Sequence, residues 1–97
     1  MNIIETTLYK LAVQNKINLE QAKILKQLYN DTPAPAHNIS KKTGLSESEV
    51  VIEINDLVER KIVSEKFGFY FVKNFEEMLS ELIRKETEEI RAVCVSD

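Results

Sequence analysis

The 97-residue sequence contains few of the residues that build disulfide frameworks, metal sites and phosphate-binding loops. It has one cysteine, Cys94, one histidine, His37, and two glycines, Gly44 and Gly68. A single cysteine excludes an intramolecular disulfide and is typical of a reducing compartment, so we expect a cytoplasmic protein. His37 has no cysteine or second histidine at metal-ligand spacing, and two isolated glycines form no Gly-rich phosphate loop. We therefore expect no enzymatic activity, no metal and no cofactor.

Long apolar runs and an excess of basic residues are also missing. No stretch approaches the roughly 18 to 20 apolar residues of a membrane span, and the first residues lack the basic and apolar regions of a signal peptide. We expect neither membrane insertion nor export. The formal net charge is −3, which argues mildly against a protein that coats nucleic acid through bulk positive charge. The local distribution of charge then matters more than the total.

The residues that are present indicate one globular domain over residues 1–97. Hydrophobic residues make up 43% and charged residues 30% of the chain, and no low-complexity run interrupts them. Apolar side chains at helical spacing predict a first amphipathic helix over residues 3–15. Asn18, followed three residues later by Gln21, forms a capping box that predicts a second helix over residues 19–30.

Two further helices are separated by Gly44. A proline suited to the first turn opens a short helix over residues 35–43, and Gly44 supplies the left-handed stop. Ser46 with Glu49 forms a second capping box, which predicts a longer helix from residue 46 to about residue 61.

A β-hairpin follows these helices. Ile62 and Val63, and then Phe69 and Phe71, alternate with polar or exposed positions on either side of a tight turn at Phe67-Gly68. We expect alternate aromatic residues to anchor the hairpin to the core, with Tyr70 facing the solvent. Stacking of these rings on the bases of a single strand is the alternative.

Apolar residues at spacings of three and four from Asn74 onward predict a closing helix. The expected fold is therefore mainly α with a small β-hairpin. A two-turn helix, a tight turn, a longer helix and a hairpin together describe a winged helix-turn-helix, here with an extra helix at each end. We divide the domain into an N-terminal helix at 1–16, a winged-helix core at 18–73 and a C-terminal helix at 74–97.

Two stretches, PAHNISKKTGLS at residues 35–46 and NDLVERKIV at residues 55–63, resemble the winged-helix modules of archaeal and bacterial transcriptional regulators. The similarity is greatest to TrmB-like and MarR-like domains and covers about residues 19–73. It implies a homodimeric regulator that binds double-stranded DNA. The helix at 46–60 would lie in the major groove, the hairpin near the backbone, and the terminal helices at the dimer interface.

The predicted recognition helix departs from this family pattern in its charge. Residues 46–60 contain one arginine and five acidic residues and so carry a formal −4: Glu47, Glu49, Glu53, Asp56 and Glu59. Each carboxylate near a phosphate is repelled by roughly 1 kcal/mol at about 4 Å in water. This acidity favours an alternative function, a winged-helix module that binds a protein and no DNA.

Two adjacent aliphatic residues, Val51 and Ile52, fall on the outward side of the same helix. Adjacent exposed aliphatic side chains suggest a contact. Three contacts remain open: a thymine methyl group, a partner protein, or another segment or subunit of this protein.

The expected site residues form three groups. Those expected to face bases are Ser46, Ser48, Val51, Ile52 and Asn55. Those expected to hold phosphates are Lys41, Lys42, Lys61 and Lys66. Those expected at the dimer interface are Ile4, Leu8, Leu11, Leu79, Leu82, Ile83 and Ile90. The simpler alternatives are a helix cap for Ser46 and solvated charges for the lysines.

Overall fold

Five helices and one antiparallel hairpin make up residues 3–83, the part of the chain that the computed structural model describes. The protein is thus mainly helical, with a small two-stranded sheet. The elements in chain order are α1 (Ile3–Val13), α2 (Leu19–Asn30), α3 (Ala36–Thr43), α4 (Glu47–Glu59), β1 (Ser64–Lys66), β2 (Phe69–Phe71) and α5, which includes residues 75–83.

Both predicted capping boxes are confirmed. The Asn18 side chain accepts the backbone N–H of Gln21 at 2.7 Å, and the Gln21 side chain accepts the N–H of Asn18 at 3.0 Å. At the start of α4, Ser46 Oγ accepts the N–H of Glu49 at 3.1 Å, and the Glu49 carboxylate accepts the N–H of Ser46 at 3.3 Å. Each box satisfies two backbone N–H groups that have no partner inside the helix.

Residues with positive φ mark the ends of helices. Gly44, at φ +81°, ends α3, and its N–H donates to the Ser40 carbonyl at 3.0 Å. The predicted end of the first helix at residue 15 is wrong by two residues, because Asn15 adopts φ +61°. Pro35 was expected inside the first turn of this helix. It is instead the N-cap residue, and α3 begins one residue later, at Ala36. Asn74 accepts the N–H of Glu77 at 3.0 Å and caps α5, a contact that the sequence analysis did not predict.

The hydrophobic core lies between the helices and receives side chains from all five of them. Five residues expected at a dimer interface lie in this core: Ile4, Leu8, Leu11, Leu79 and Leu82. Because these side chains are buried within one chain, they have almost no surface left for a partner, and their assignment to an interface is corrected to a core role. Ile83 is half exposed, and Ile90 lies outside the described residues. The dimer itself stays a prediction.

The hairpin pairs Ser64 with Phe71 and Lys66 with Phe69. The first strand therefore begins at Ser64, after the predicted Ile62 and Val63. The side of the second strand that faces the core also differs from the prediction. Tyr70 packs against the core, so the prediction that it faces the solvent is wrong. Its backbone exchanges two hydrogen bonds with Ala34, at 3.0 and 2.8 Å. Alternate residues of a strand point to opposite faces, so this bridge leaves Phe69 on the outer face, 46% exposed.

Candidate nucleic-acid interface

The turn between α3 and α4 is held by side-chain hydrogen bonds. Ser40 Oγ donates to the Leu45 carbonyl at 2.6 Å, and Thr43 Oγ1 donates to the Ile39 carbonyl at 2.7 Å and accepts the N–H of Leu45 at 3.3 Å. Ile39 is fully buried beneath the turn. These hydrogen bonds fix the position of the N-terminus of α4 relative to α3.

Helix α4 has one buried and one exposed face. Val50, Ile54 and Leu57 are completely buried. The opposite face carries four exposed residues at spacings of three and four, which we call the outer stripe: Ser48, Val51, Ile52 and Asn55. Within it, Val51 is 37% and Ile52 is 68% exposed. All four members of the outer stripe are uncharged and were predicted to face a partner, and the exposed Glu59 follows Asn55 on the same face at a spacing of four.

Three of the five carboxylates on α4 accept hydrogen bonds from groups of the same chain. Glu53 accepts both of its hydrogen bonds from the Asn18 amide, at 3.0 and 3.1 Å. Asp56 accepts the Gln21 amide at 2.7 Å and pairs with Arg60 at 3.3 Å. Glu49 closes the capping box. These contacts fix where three of the carboxylates point, while the formal charge of −4, which already includes Arg60, is unchanged.

The Gln21 side chain shows why these contacts matter for the fold. It is only 2% exposed, and its amide also donates to the Glu53 carbonyl at 3.3 Å. A buried amide needs such acceptors because an unsatisfied donor costs about 1 to 3 kcal/mol. The acidic residues on this side of α4 thus join it to the start of α2.

The remaining two carboxylates stand near the ends of α4. Glu47 Oε2 lies 3.9 Å from His37 Nδ1, and both side chains are well exposed. Glu59 is also exposed. A contact of this length between exposed groups contributes little to stability. Both carboxylates would repel a phosphate placed near the ends of α4.

The four lysines expected to contact phosphate are all exposed. Lys42 forms an ion pair with Asp31 at 2.7 Å. Within residues 3–83, Lys41, Lys61 and Lys66 have no ion pair, so their charges remain available. Lys61 follows α4 at φ +62°, and Lys66 ends β1. Ser46 is exposed as well, but its hydroxyl is already used as a helix cap.

The most exposed aromatic residue was missed as a site residue. Phe67 is 89% exposed at the tip of the hairpin, and Lys66 Nζ lies 5.9 Å from the centre of its ring. Phe67 and Gly68 have φ of +53° and +82°, the pattern of a type I′ turn. A left-handed conformation costs a residue other than glycine about 1 to 2 kcal/mol. The sequence alone could have drawn attention to Phe67, because a two-residue turn at Phe67-Gly68 requires a positive φ at both residues.

A second group of lysines lines a shallow groove between α1, α2 and the end of α3, with Tyr9 at its edge. Lys26 lies 2.8 Å from Glu5, which raises the pKa of Lys26 above its usual value through a hydrogen bond and charge attraction. Lys42 is paired with Asp31. The third lysine of the groove, Lys23, has no ion pair within residues 3–83. The groove therefore carries little net charge.

In residues 3–83, no three His, Cys, Asp or Glu side chains lie close enough together to hold a metal ion. No helix there is long and apolar enough to cross a membrane. Cys94 lies outside the described residues.

Comparison with known proteins shows the fold and assigns no family. No protein-family model matches the sequence, and no curated protein matches it. A similar solved structure is the crystal structure of RV1404 from Mycobacterium tuberculosis, with a TM-score of 0.61 over 98% of this chain and 69% of that chain. The two sequences are 14% identical. At this identity the likeness shows a shared architecture alone.

Proposed function

We propose that the protein is a small winged helix-turn-helix regulator of transcription that binds double-stranded DNA as a homodimer. In this proposal α3, the turn and α4 form the helix-turn-helix, and the hairpin is the wing. The two α4 helices of a dimer would enter successive major grooves, about 34 Å apart. Such a regulator acts in the cytoplasm on chromosomal DNA and needs no catalytic group or cofactor.

The observation that carries the proposal is the position of Glu53 and Asp56. Their hydrogen bonds to Asn18 and Gln21 direct both carboxylates toward α2. The outer stripe is left with a hydroxyl, two aliphatic side chains and an amide. Hydroxyls and amides donate to base edges, and aliphatic side chains contact thymine methyl groups. Two of the five carboxylates of α4 are thereby directed away from the surface that would meet the bases.

The roles of individual residues follow from their positions. Ser48 and Asn55 would hydrogen-bond base edges, and Val51 and Ile52 would contact thymine methyl groups. Lys41, at the end of α3, and Lys61 and Lys66, at the hairpin, would contact phosphates. Phosphate contacts position a protein on the duplex and base contacts give it specificity.

A salt titration with a labelled duplex of random sequence tests the proposal. A protein that makes several phosphate contacts loses orders of magnitude in affinity between about 50 and 200 mM salt. The matched variants are Lys41→Gln and Lys23→Gln, because Lys23 is an exposed lysine of α2, outside the proposed helix-turn-helix and wing. We expect Lys41→Gln to weaken binding and to flatten the salt dependence, and Lys23→Gln to change neither. Absence of binding at about 50 mM salt would reject the proposal.

The second candidate function is a protein-interaction module without DNA binding. Two observations favour it: Val51 and Ile52 are adjacent and exposed, and the carboxylates of Glu47 and Glu59 are exposed near the two ends of the outer stripe. This function predicts that random duplex is not bound at low salt and that Ile52→Asp abolishes binding of the protein partner. Light scattering tests the homodimer separately, since a monomer at micromolar concentration removes the two-groove arrangement.

A further inference from the structure

The hairpin turn holds a residue that its own geometry disfavours. A type I′ turn prefers Asn, Asp or Gly at its first central position and Gly at its second. Gly68 fits this preference, whereas Phe67 is an aromatic residue at φ +53°. Packing does not compensate, because the ring is 89% exposed. Strain retained at an exposed position is a reason to look for a function.

The charge of the surrounding segment identifies the kind of partner. Residues 61–73 contain three lysines and one glutamate, a formal +2 in a chain of −3. The single glutamate, Glu65, accepts the N–H of Gly68 at 2.8 Å and is thereby held in the turn. Lys66 stands beside the ring, with its Nζ 5.9 Å from the ring centre. An exposed aromatic ring beside a lysine, in a segment of net positive charge, is complementary to a stacked polyanion.

We infer that Phe67 is a wedge that enters a groove of duplex DNA and partly unstacks one base step, while Lys66 contacts a neighbouring phosphate. This inference rests on the DNA binding proposed above and adds a mode of recognition to it. Apolar side chains inserted between base pairs kink the duplex. Pyrimidine–purine steps unstack most readily. Sequence preference would then arise from the deformability of the DNA as well as from contacts of the outer stripe.

The test compares two duplexes of about 20 to 30 base pairs that differ by one central mismatch, both at about 50 mM salt. A mismatched step has already lost part of its stacking energy. Wild-type protein should therefore bind the mismatched duplex about five- to tenfold more tightly than the perfect one. Phe67→Asn should lose this preference and bind the perfect duplex about tenfold more weakly. Its salt dependence should be unchanged, because Lys66 and Lys61 remain.

The choice of asparagine separates binding from folding. Asparagine is favoured at the first position of this turn, so the variant should melt at or above the wild-type temperature. A loss of affinity in Phe67→Asn then cannot be attributed to a damaged hairpin. Val13→Asn, which replaces an exposed aliphatic residue on α1, is the matched control and should keep the mismatch preference.

Three results would overturn the wedge, and they differ from one another. Phe67→Asn with wild-type affinity and wild-type mismatch preference would remove any role for the ring. Tighter binding of single-stranded DNA than of either duplex, lost in Phe67→Asn, would show that the ring stacks on bases of a single strand. No binding of either duplex by wild-type protein would reject the proposed function together with the wedge, whereas binding that is insensitive to Phe67 rejects the wedge alone.

Discussion

Helix α4 and the hairpin carry opposite formal charges, and the fold uses these charges differently. In α4, three of five carboxylates accept hydrogen bonds from groups of the same chain. In the hairpin segment, Lys61 and Lys66 have no ion pair within residues 3–83 and lie exposed. Three carboxylates of α4 are thus fixed in position by contacts within the chain, whereas the two hairpin lysines are free to reach a partner. A charge count along a segment therefore does not show which charged groups face a partner.

The two regions differ in the same way in their apolar residues. α4 places Val50, Ile54 and Leu57 in the core and leaves Val51 and Ile52 outside. The hairpin is anchored by Tyr70 and leaves Phe67 and Phe69 outside. Each region thus combines a buried anchor with an exposed apolar surface beside it. Paired substitutions at the anchor and at the surface can separate stability from binding.

The largest expected effect is at the anchor of α4. Ile54→Ala should lower the free energy of unfolding by about 2 to 5 kcal/mol, because it leaves a cavity in a fully packed core. Ile52→Ala should change stability by less than about 0.5 kcal/mol and should weaken binding to the proposed DNA. Urea denaturation at a fixed protein concentration measures the first effect, and the salt titration measures the second. Equal destabilisation by the two variants would show that the faces of α4 are assigned wrongly.

A smaller effect is expected where α4 meets α2. Asp56→Ala removes the acceptor 2.7 Å from the buried Gln21 amide and should cost about 1 to 2 kcal/mol, since the Glu53 carbonyl still accepts. Glu59→Ala, the control, removes an exposed carboxylate and should leave stability unchanged. If α4 binds DNA, Glu59→Ala should also raise affinity, because it removes a repulsion of roughly 1 kcal/mol at about 4 Å. Thermal melts showing no cost for Asp56→Ala would contradict a structural role for the acidic residues.

The hairpin faces are distinguished by the next pair of variants. Tyr70→Thr should destabilise the protein by about 1 to 2 kcal/mol, about half the cost of removing a fully buried aromatic ring. Phe69→Thr should cost less than about 0.5 kcal/mol. Threonine suits a strand in both cases, so the comparison reports packing. A larger loss for Phe69→Thr in urea denaturation would support the strand orientation that the sequence predicted.

Local signals allowed most of the fold to be predicted. Each of these signals depends on residues no more than four positions apart. They are the capping box at Asn18, the capping box at Ser46 and the helix stop at Gly44, and all three are confirmed. The hairpin orientation was missed because a strand of three residues is too short for its alternation to define a face. Its orientation depends on the bridge between Ala34 and Tyr70, which are far apart in the sequence.

The candidate site was predictable to a similar degree. Helical spacing alone placed Val51, Ile52 and Asn55 on the exposed side of α4, where the structure has them. The direction of two carboxylates on that helix was not predictable, because Glu53 and Asp56 accept hydrogen bonds from Asn18 and Gln21, at the start of α2. Helical periodicity assigns a side to a residue but does not identify a partner from a distant element. Whether the acidity of α4 prevents DNA binding stays a question for the salt titration.

The smallest expected effect separates the two serines at the start of α4. Ser46→Ala should cost about 1 kcal/mol, because the N–H of Glu49 loses its acceptor and the capping box opens. Ser48→Ala lies on the outer stripe, makes no cap, and should leave stability within about 0.5 kcal/mol of wild type. In the salt titration the order should reverse: Ser48→Ala weakens binding through a lost contact, and Ser46→Ala weakens it less. Parallel losses of stability and affinity in both variants would mean that the start of α4 supports the fold and contacts no DNA.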